Sequence, residues 1–228
     1  MRLLALVAAS LLLPQEKNEA EELFKKMEEK FAKAATLSVK MKGTVDSNGT
    51  VMDVESEITL AEGNRARAEF KLTAQGQTRS SEVVSDGKTT RVVPMGGGVP
   101  QTFPTIEKLG ALLARGLARG GAVPTISAFS TARDVKADPD RNLTAKDFTL
   151  GAKEKIGDRD TQVVAYKLSG LGLTDIDVNV WIDLKTYVPV KRLMTAKAKR
   201  NVTEEASLEC TFDEKIDAAK FELPKEAK

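Results

Sequence analysis

Hydrophobic and polar residues alternate along most of the chain between residues 37 and 212, and this period of two predicts β-strands. The first predicted hairpin joins residues 37–45 to residues 52–60 through a tight turn at Asn48 and Gly49. About ten strands are predicted in this way, and no repeating strand–helix–strand unit separates them. The pattern therefore predicts an α+β protein built on one strongly curved antiparallel sheet.

The clearest predicted hairpin covers residues 178–192 and turns at residues 183–186. Pro189 is expected at an edge or a bulge, because proline cannot donate a hydrogen bond to a neighbouring strand. The alternation places Val178, Val180, Ile182 and Leu184 on one face of the sheet. Trp181, the only tryptophan in the chain, is expected on the other face, beneath the N-terminal helix or at the rim of the sheet.

A helical period of three to four residues appears in two segments. In residues 18–35 it is carried by Leu23, Phe24, Met27, Phe31 and Ala34, which predicts an amphipathic helix that lies on the sheet. Asn18 is the predicted N-cap, with Glu21 three residues later.

The second helical segment, residues 105–119, interrupts the strands between a Gly- and Pro-rich stretch at residues 94–104, predicted to be a loop, and the pair Gly120-Gly121. We predict an inserted helix at about residues 104–120. Two interpretations remain open for it: a lid over the open face of the sheet, or an ordinary packed helix.

The first residues resemble an export signal. Arg2 precedes an apolar run at residues 3–13, which is too short to span a bilayer but has the length of a secretory hydrophobic region. We therefore predict a signal peptide at residues 1–15 and a single domain at residues 16–228. No cysteine comes directly after the run, so a lipoprotein anchor is not expected and the exported chain is predicted to be free in the periplasm.

Composition excludes most common active sites. The chain has no histidine and one cysteine, Cys210, which removes imidazole bases, histidine metal ligands, intrachain disulfides and cysteine zinc clusters. No cluster of Ser and Asp suggests an esterase. A net charge of +2, with 35 basic against 33 acidic residues, gives no reason to expect a nucleic-acid partner. We predict a protein that is not an enzyme and holds no metal or cofactor.

Several short motifs, in this order along the chain, resemble one family. They are Ala20-Glu21-Glu22-Leu23, Ser85-Asp86-Gly87-Lys88, Lys155-Ile156-Gly157-Asp158-Arg159, Val180-Trp181-Ile182-Asp183, Val188-Pro189-Val190-Lys191-Arg192 and Phe221-Glu222-Leu223-Pro224. Together they resemble the LolA/LolB superfamily of bacterial lipoprotein carriers and related periplasmic lipid-binding proteins, over most of residues 18–224. The Trp-Ile-Asp hairpin is the most specific of these motifs.

The resemblance implies an unclosed β-barrel around a hydrophobic cavity, covered by helices, that shields acyl chains from water without covalent chemistry. The implied partners are lipid or lipoprotein acyl chains and membrane-bound donor or acceptor proteins, and the implied state is a monomer. The predicted cavity wall consists of apolar residues on one strand face: Val39, Met41, Met52, Val54, Ile58, Phe70, Leu72, Val180 and Ile182. The predicted lid residues are Ile106, Leu109, Leu113 and Leu117.

Two functions remain open within this fold. A carrier predicts a large aliphatic pocket under residues 105–119, because each CH₂ group moved out of water contributes about 0.8 kcal/mol. A lipid-sensing regulatory or scaffold domain predicts a filled core and an exposed partner surface instead.

Overall fold

The structure is a computed structural model, and it describes residues 18–121, 143–170, 173–197 and 201–224. The predicted signal peptide lies outside the described residues and stays a prediction. Two α-helices are present, α1 (Glu19–Lys33) and α2 (Leu109–Gly120), together with a short 3-10 helix (Ala218–Phe221) near the C-terminus. None of the helices in the described ranges is long and apolar enough to cross a bilayer.

Eleven strands form the sheet. They are β1 (Thr36–Ser47), β2 (Thr50–Ala61), β3 (Arg65–Ala74), β4 (Gln77–Asp86), β5 (Thr89–Val93), β6 (Gln101–Pro104), β7 (Thr144–Ile156), β8 (Arg159–Gly170), β9 (Leu173–Asp183), β10 (Pro189–Lys197) and β11 (Asn201–Phe212). The eleventh strand arises because β6 forms inside the segment predicted to be a loop, where it pairs with β5. The loop prediction for residues 94–104 is therefore wrong at residues 101–104.

The strands follow the order β6-β5-β4-β3-β2-β1-β11-β10-β9-β8-β7, and every neighbouring pair is antiparallel. Within the described ranges β6 and β7 are the two edges and do not pair with each other, so the sheet is curved but open. This confirms the predicted α+β fold with an unclosed antiparallel sheet; the sheet does not close into a barrel. The register shift between β9 and β10 falls at Pro189, as predicted for a proline in a strand.

The sheet has two distinct faces. The inner face packs against α1 and α2 and forms the main hydrophobic core, which includes Phe24, Met27 and Phe31 of α1. On the outer face, Trp181 packs in a small separate cluster with Val163 and Val190, and its indole N–H donates to Glu154 Oε2 at 2.8 Å. The predicted alternation is confirmed for residues 178–182, but Leu184 lies in the turn after β9 and is 37% exposed. The expectation that Trp181 lies beneath the N-terminal helix is also wrong, since α1 covers the opposite face.

Helix α1 begins and packs as the sequence predicts. The Asn18 Oδ1 accepts hydrogen bonds from the backbone N–H groups of Ala20 and Glu21 at 3.1 and 3.2 Å. One turn further on, the ring of Phe24 lies 4.8 Å from the rings of both Phe148 and Tyr166. Burial of one such aromatic side chain stabilises the fold by about 1.5–3 kcal/mol, which fixes the N-terminal half of α1 on β7 and β8.

Candidate functional site

The predicted wall residues lie on the inner face of the sheet. On β1 and β2, Val39 pairs with Ile58 and Gly43 pairs with Val54, so these side chains project from the same side. Strand β3 continues the surface, because Val54 pairs with Leu72. The register therefore brings together residues that the sequence assigned to one face only by alternation.

These residues form a closely packed core. Seven of the nine are buried, with exposed fractions of 0–7%: Val39, Met41, Val54, Ile58, Phe70, Val180 and Ile182. Met52 and Leu72, near the hairpin ends of β2 and β3, are half-buried. Side chains this deeply buried have little water-sized space beside them, so at these seven residues the inner face is packed rather than hollow. Their role as a lipid-binding wall stays a prediction.

Helix α2 covers part of the inner face of the sheet. Leu109, Leu113 and Leu117 are 1–2% exposed and belong to the same core as the predicted wall. Ile106 precedes the helix, which begins at Leu109 rather than at residue 105, and it is partly buried against that core. The structure therefore places the predicted lid residues and most of the predicted wall residues in one hydrophobic core.

An arginine of the sheet fastens the C-terminal end of α2. Arg192 on β10 is 3% exposed, and its guanidinium donates to the carbonyls of Leu117 at 3.2 Å and Ala118 at 2.7 Å. A helix leaves its last carbonyls unpaired and carries partial negative charge there, so a buried cation is well matched to this end. Gly121 makes the approach possible, because a Cβ at that position would lie 2.5 Å from Arg192 Nη1.

A second set of polar contacts meets at the same end of α2. Arg119 of α2 forms an ion pair with Glu28 of α1 and also donates to the Leu143 carbonyl. The Tyr166 hydroxyl of β8 donates to the Arg119 carbonyl, and burial raises the pKa of Tyr166 to about 12. We call Arg192, Arg119, Tyr166 and Glu28 the α2 anchor, because they tie one helix end to the sheet and to α1.

A buried carboxyl group lies beside the α2 anchor. Glu204 on β11 is 7% exposed, and it pairs with Met194 of β10 on one side and with Val45 of β1 on the other. Burial raises its pKa to about 7, and the positive charge of Arg192 lowers that value only in part. Glu204 is thus a buried acid near neutrality on a face that is otherwise mostly apolar.

Neither Arg192 nor Glu204 was predicted as a site residue. A signal for both was present in the alternation, because Arg192 shares its parity with Met194, and Glu204 shares its parity with Leu208 and Cys210. A charged residue in the apolar register of a strand indicates a buried polar contact. Its partners could not be found in this way, since the carbonyls that Arg192 binds belong to a helix about 75 residues away.

Two hollows open along the seam between α1 and α2. One has a volume of about 210 Å³ and reaches the core residues Phe31, Leu37 and Leu60; the other has a volume of about 300 Å³. Both are lined by Ala32 of α1 and Ala111 of α2, so they meet at the seam. Each is at or below the lower limit of about 300–1,000 Å³ for small-molecule sites.

The other candidate chemistry is limited. A third hollow of about 710 Å³ lies beside α1 at the turns that follow β7 and β9, and its charged side chains include Lys30, Arg159, Asp158 and Asp160. Burial raises the pKa of Cys210 to about 12, so this thiol is protonated at neutral pH. Among the described residues, no group of three acidic, Cys or His side chains is arranged to hold a metal ion.

Comparison with known proteins places the chain in a family. Residues 20–228 match the model of a family described as "Predicted periplasmic protein (DUF2092)". A comparison with curated proteins finds no match.

Three solved structures with a similar fold are distant from this chain in sequence. LprF from Mycobacterium bovis is 13% identical, with a TM-score of 0.50 over 88% of this chain and 95% of that one. The lipoprotein LppX from Mycobacterium tuberculosis is 11% identical, with a TM-score of 0.43 over 87% and 98%. A LolA superfamily protein from Nitrosomonas europaea is 12% identical, with a TM-score of 0.38 over 90% and 97%. At these identities the likeness concerns the fold alone, and at that level the resemblance predicted from the sequence is confirmed.

Proposed function

Because the chain belongs to the DUF2092 family of predicted periplasmic proteins, we propose that it is a non-enzymatic periplasmic carrier that binds acyl chains of lipids or lipoproteins on its inner sheet face. The main observation behind this proposal is the way in which α2 covers the inner sheet face. An apolar helix closes a broad apolar sheet face, and its C-terminal end is held by side chains of the α2 anchor.

Binding requires that α2 move, because the inner face is filled in the closed conformation. When α2 is displaced, the side chains of Leu109, Leu113 and Leu117 leave the predicted wall, and an acyl chain can take their place. An acyl chain gains about 0.8 kcal/mol for each CH₂ group buried, so a chain of ordinary length offsets the loss of these three leucines. In this proposal α2 separates from α1 at the seam where Ala32 and Ala111 line both hollows.

The partners in this proposal are lipid or lipoprotein acyl chains, delivered and collected by membrane-bound donor and acceptor proteins. The protein acts as a monomer, with its signal peptide removed on export. No cofactor or covalent step is required, because the transfer of a chain between two apolar environments needs only a cover that opens.

The proposal is tested by cross-linking α2 to α1, so that α2 cannot move. In a Cys210→Ser background, the pair Ala32→Cys and Ala111→Cys is bridged with a short bis-maleimide, and each single-cysteine variant treated in the same way is the control. We expect the unlocked protein to bind a fluorescent fatty acid and to carry lipid in native mass spectrometry when purified from its host. The bridged protein should lose most of this binding, since α2 cannot leave the inner face. A protein that is always empty and binds no lipidated peptide would contradict the carrier function.

One observation favours a second function. The seven buried wall residues fill the inner face as completely as an ordinary protein core. A lipid-sensing regulatory or scaffold domain of the same fold needs no large cavity, and its partner would bind on an exposed surface. This function is supported if the bridged and unlocked proteins bind lipid equally weakly and both capture the same periplasmic protein.

A further inference from the structure

Arg192 and Glu204 are diagonal neighbours on the inner face of the sheet. Arg192 pairs with Ala206 and Met194 pairs with Glu204 in the antiparallel ladder of β10 and β11, which places the two charged side chains two residues apart on the same side. Both are more than nine-tenths buried, with exposed fractions of 3% and 7%. Two ionisable groups of opposite charge thus share a low-dielectric region.

The guanidinium of Arg192 is only partly satisfied. Two of its N–H groups bind the α2 carbonyls, whereas Nε is buried without a hydrogen-bond partner in the described part of the chain. Such an unpaired donor carries a desolvation penalty of about 1–3 kcal/mol or more when the group is charged. Arg192 can therefore gain a better partner than it has in the closed conformation.

The charged and titratable groups around the pair come from four elements. Those near Arg192 are Tyr166 on β8, Arg119 on α2, Glu28 on α1 and Cys210 on β11, whose thiol is protonated at neutral pH because burial raises its pKa to about 12. Arg119 and Glu28 already form an ion pair with each other, and Tyr166 stays neutral because burial raises its pKa to about 12. On β1 the direct neighbour of Glu204 is Val45, which carries no charge. Arg192 is thus the group whose charge acts on Glu204.

We propose that Glu204 and Arg192 form a proton-linked switch that controls the docking of α2. With Glu204 protonated, the guanidinium remains on the Leu117 and Ala118 carbonyls and α2 stays closed. When Glu204 loses its proton, the carboxylate competes with those carbonyls for Arg192 and draws water to the inner face, so the C-terminal end of α2 is released. This inference rests on the proposed function in one respect, since it takes α2 to be the cover of the binding face.

The direction of the pH effect follows from linkage. Burial raises the pKa of Glu204 to about 7, above the ordinary carboxyl value of 4.5, so the closed conformation holds the proton more tightly than an open one. The proton on Glu204 stabilises the closed conformation fully when the pH is below the ordinary carboxyl pKa. This stabilisation is lost as the pH rises through about 7. For one proton with these two pKa values, the open population rises about tenfold between pH 6 and pH 8.

Hydrogen exchange of the full chain tests the switch directly. Protection factors of the α2 amides are measured from pH 5.5 to 8.5, after correction for the intrinsic exchange rate at each pH. We expect protection of α2 to fall about tenfold between pH 6 and pH 8, with α1 unchanged. Glu204→Gln should keep α2 protected across this range, because the amide has nearly the same shape and cannot ionise. The matched control is Glu205→Gln, an exposed neighbour on the same strand, which should retain the pH dependence of the unmodified chain.

A flat protection profile in the unmodified chain, or an unchanged profile in Glu204→Gln, would overturn the switch. Arg192→Lys provides a second measure if Glu204→Gln folds poorly. It retains the charge but loses the paired contact with the two carbonyls, so α2 should be less protected and its remaining pH dependence smaller. The carrier function can fail separately from the switch. If the chain shows the expected exchange profile but binds no acyl chain, the switch is retained and the proposed ligand is rejected.

Discussion

The two helices that cover the inner face are held in different ways. Helix α1 is capped by its own Asn18, has three acidic residues in its first turn, and has Lys30 and Lys33 in its last turn. In helix α2 the side chain of the N-cap residue Lys108 makes no capping hydrogen bond, Lys108 has a left-handed conformation, and the first turn holds no acidic residue. Both bury apolar faces in the same core, so the difference lies at their ends.

The ends of α2 are held by residues from elsewhere in the chain. The Gly110 N–H donates to Asn64 Oδ1 at 3.2 Å, and Arg192 and Tyr166 bind the C-terminal carbonyls. Most of its stability therefore comes from tertiary contacts, whereas α1 also carries favourable local interactions. The helical conformation of α2 therefore depends more on its docking to the rest of the fold than that of α1 does.

The difference between α1 and α2 is tested most severely by truncating one buried side chain in each helix. Leu113→Ala in α2 and Met27→Ala in α1 each remove a side chain that is 0–1% exposed, at an expected loss of about 2–5 kcal/mol. We expect the α2 variant to lose amide protection mainly in α2, and the α1 variant to lower the urea midpoint of the whole chain. Identical global destabilisation in both variants would show that α2 is not an independent unit.

The α2 anchor is tested by Arg192→Leu, which keeps apolar volume but removes the donors to Leu117 and Ala118. We expect a loss of about 2–3 kcal/mol, concentrated at the C-terminal end of α2, because charged hydrogen bonds are broken and carbonyls are left unpaired. Native-state hydrogen exchange measures this change. Arg79→Leu, an exposed arginine on β4, is the control and should leave α2 protection unaltered.

The local support of α1 is tested by Asn18→Ala. This change removes the N-cap and the bond from Asn18 Nδ2 to the Phe148 carbonyl at 3.0 Å, at an expected loss of about 1 kcal/mol. Urea unfolding followed by circular dichroism measures it. Asn18→Ser should recover most of the loss, since serine also caps helices; no recovery would assign the effect to the Phe148 contact instead.

The smallest effect is expected for the exposed pair of Lys25 and Glu21, one turn apart on α1, whose charged atoms are 2.7 Å apart. Water and salt screen this pair, so Lys25→Ala should leave the thermal midpoint unchanged within error. A clear drop in the midpoint would show that surface pairs, rather than the cap and the core, account for the stability of α1.

Much of the fold follows from local patterns in the sequence. Alternation located the strands, and the three-to-four period located α1 within a residue or two of its observed bounds. Prediction from these patterns was less accurate where the alternation of apolar and polar residues was weak. Strand β6 has four residues in a Gly- and Pro-rich region, and its strand conformation depends on pairing with β5.

The candidate site, like the fold, was predictable from the sequence only in part. The sequence by itself determined which residues are apolar and which of them share a face, because side-chain direction alternates with every residue of a strand. Only the tertiary structure decided that α1 and α2 pack on this face, and that Arg192, with Glu204 as its diagonal neighbour in the sheet, binds the C-terminal end of α2. The reason is that a buried charge is recognised by its partners, and here the partners are brought together by folding from distant parts of the chain.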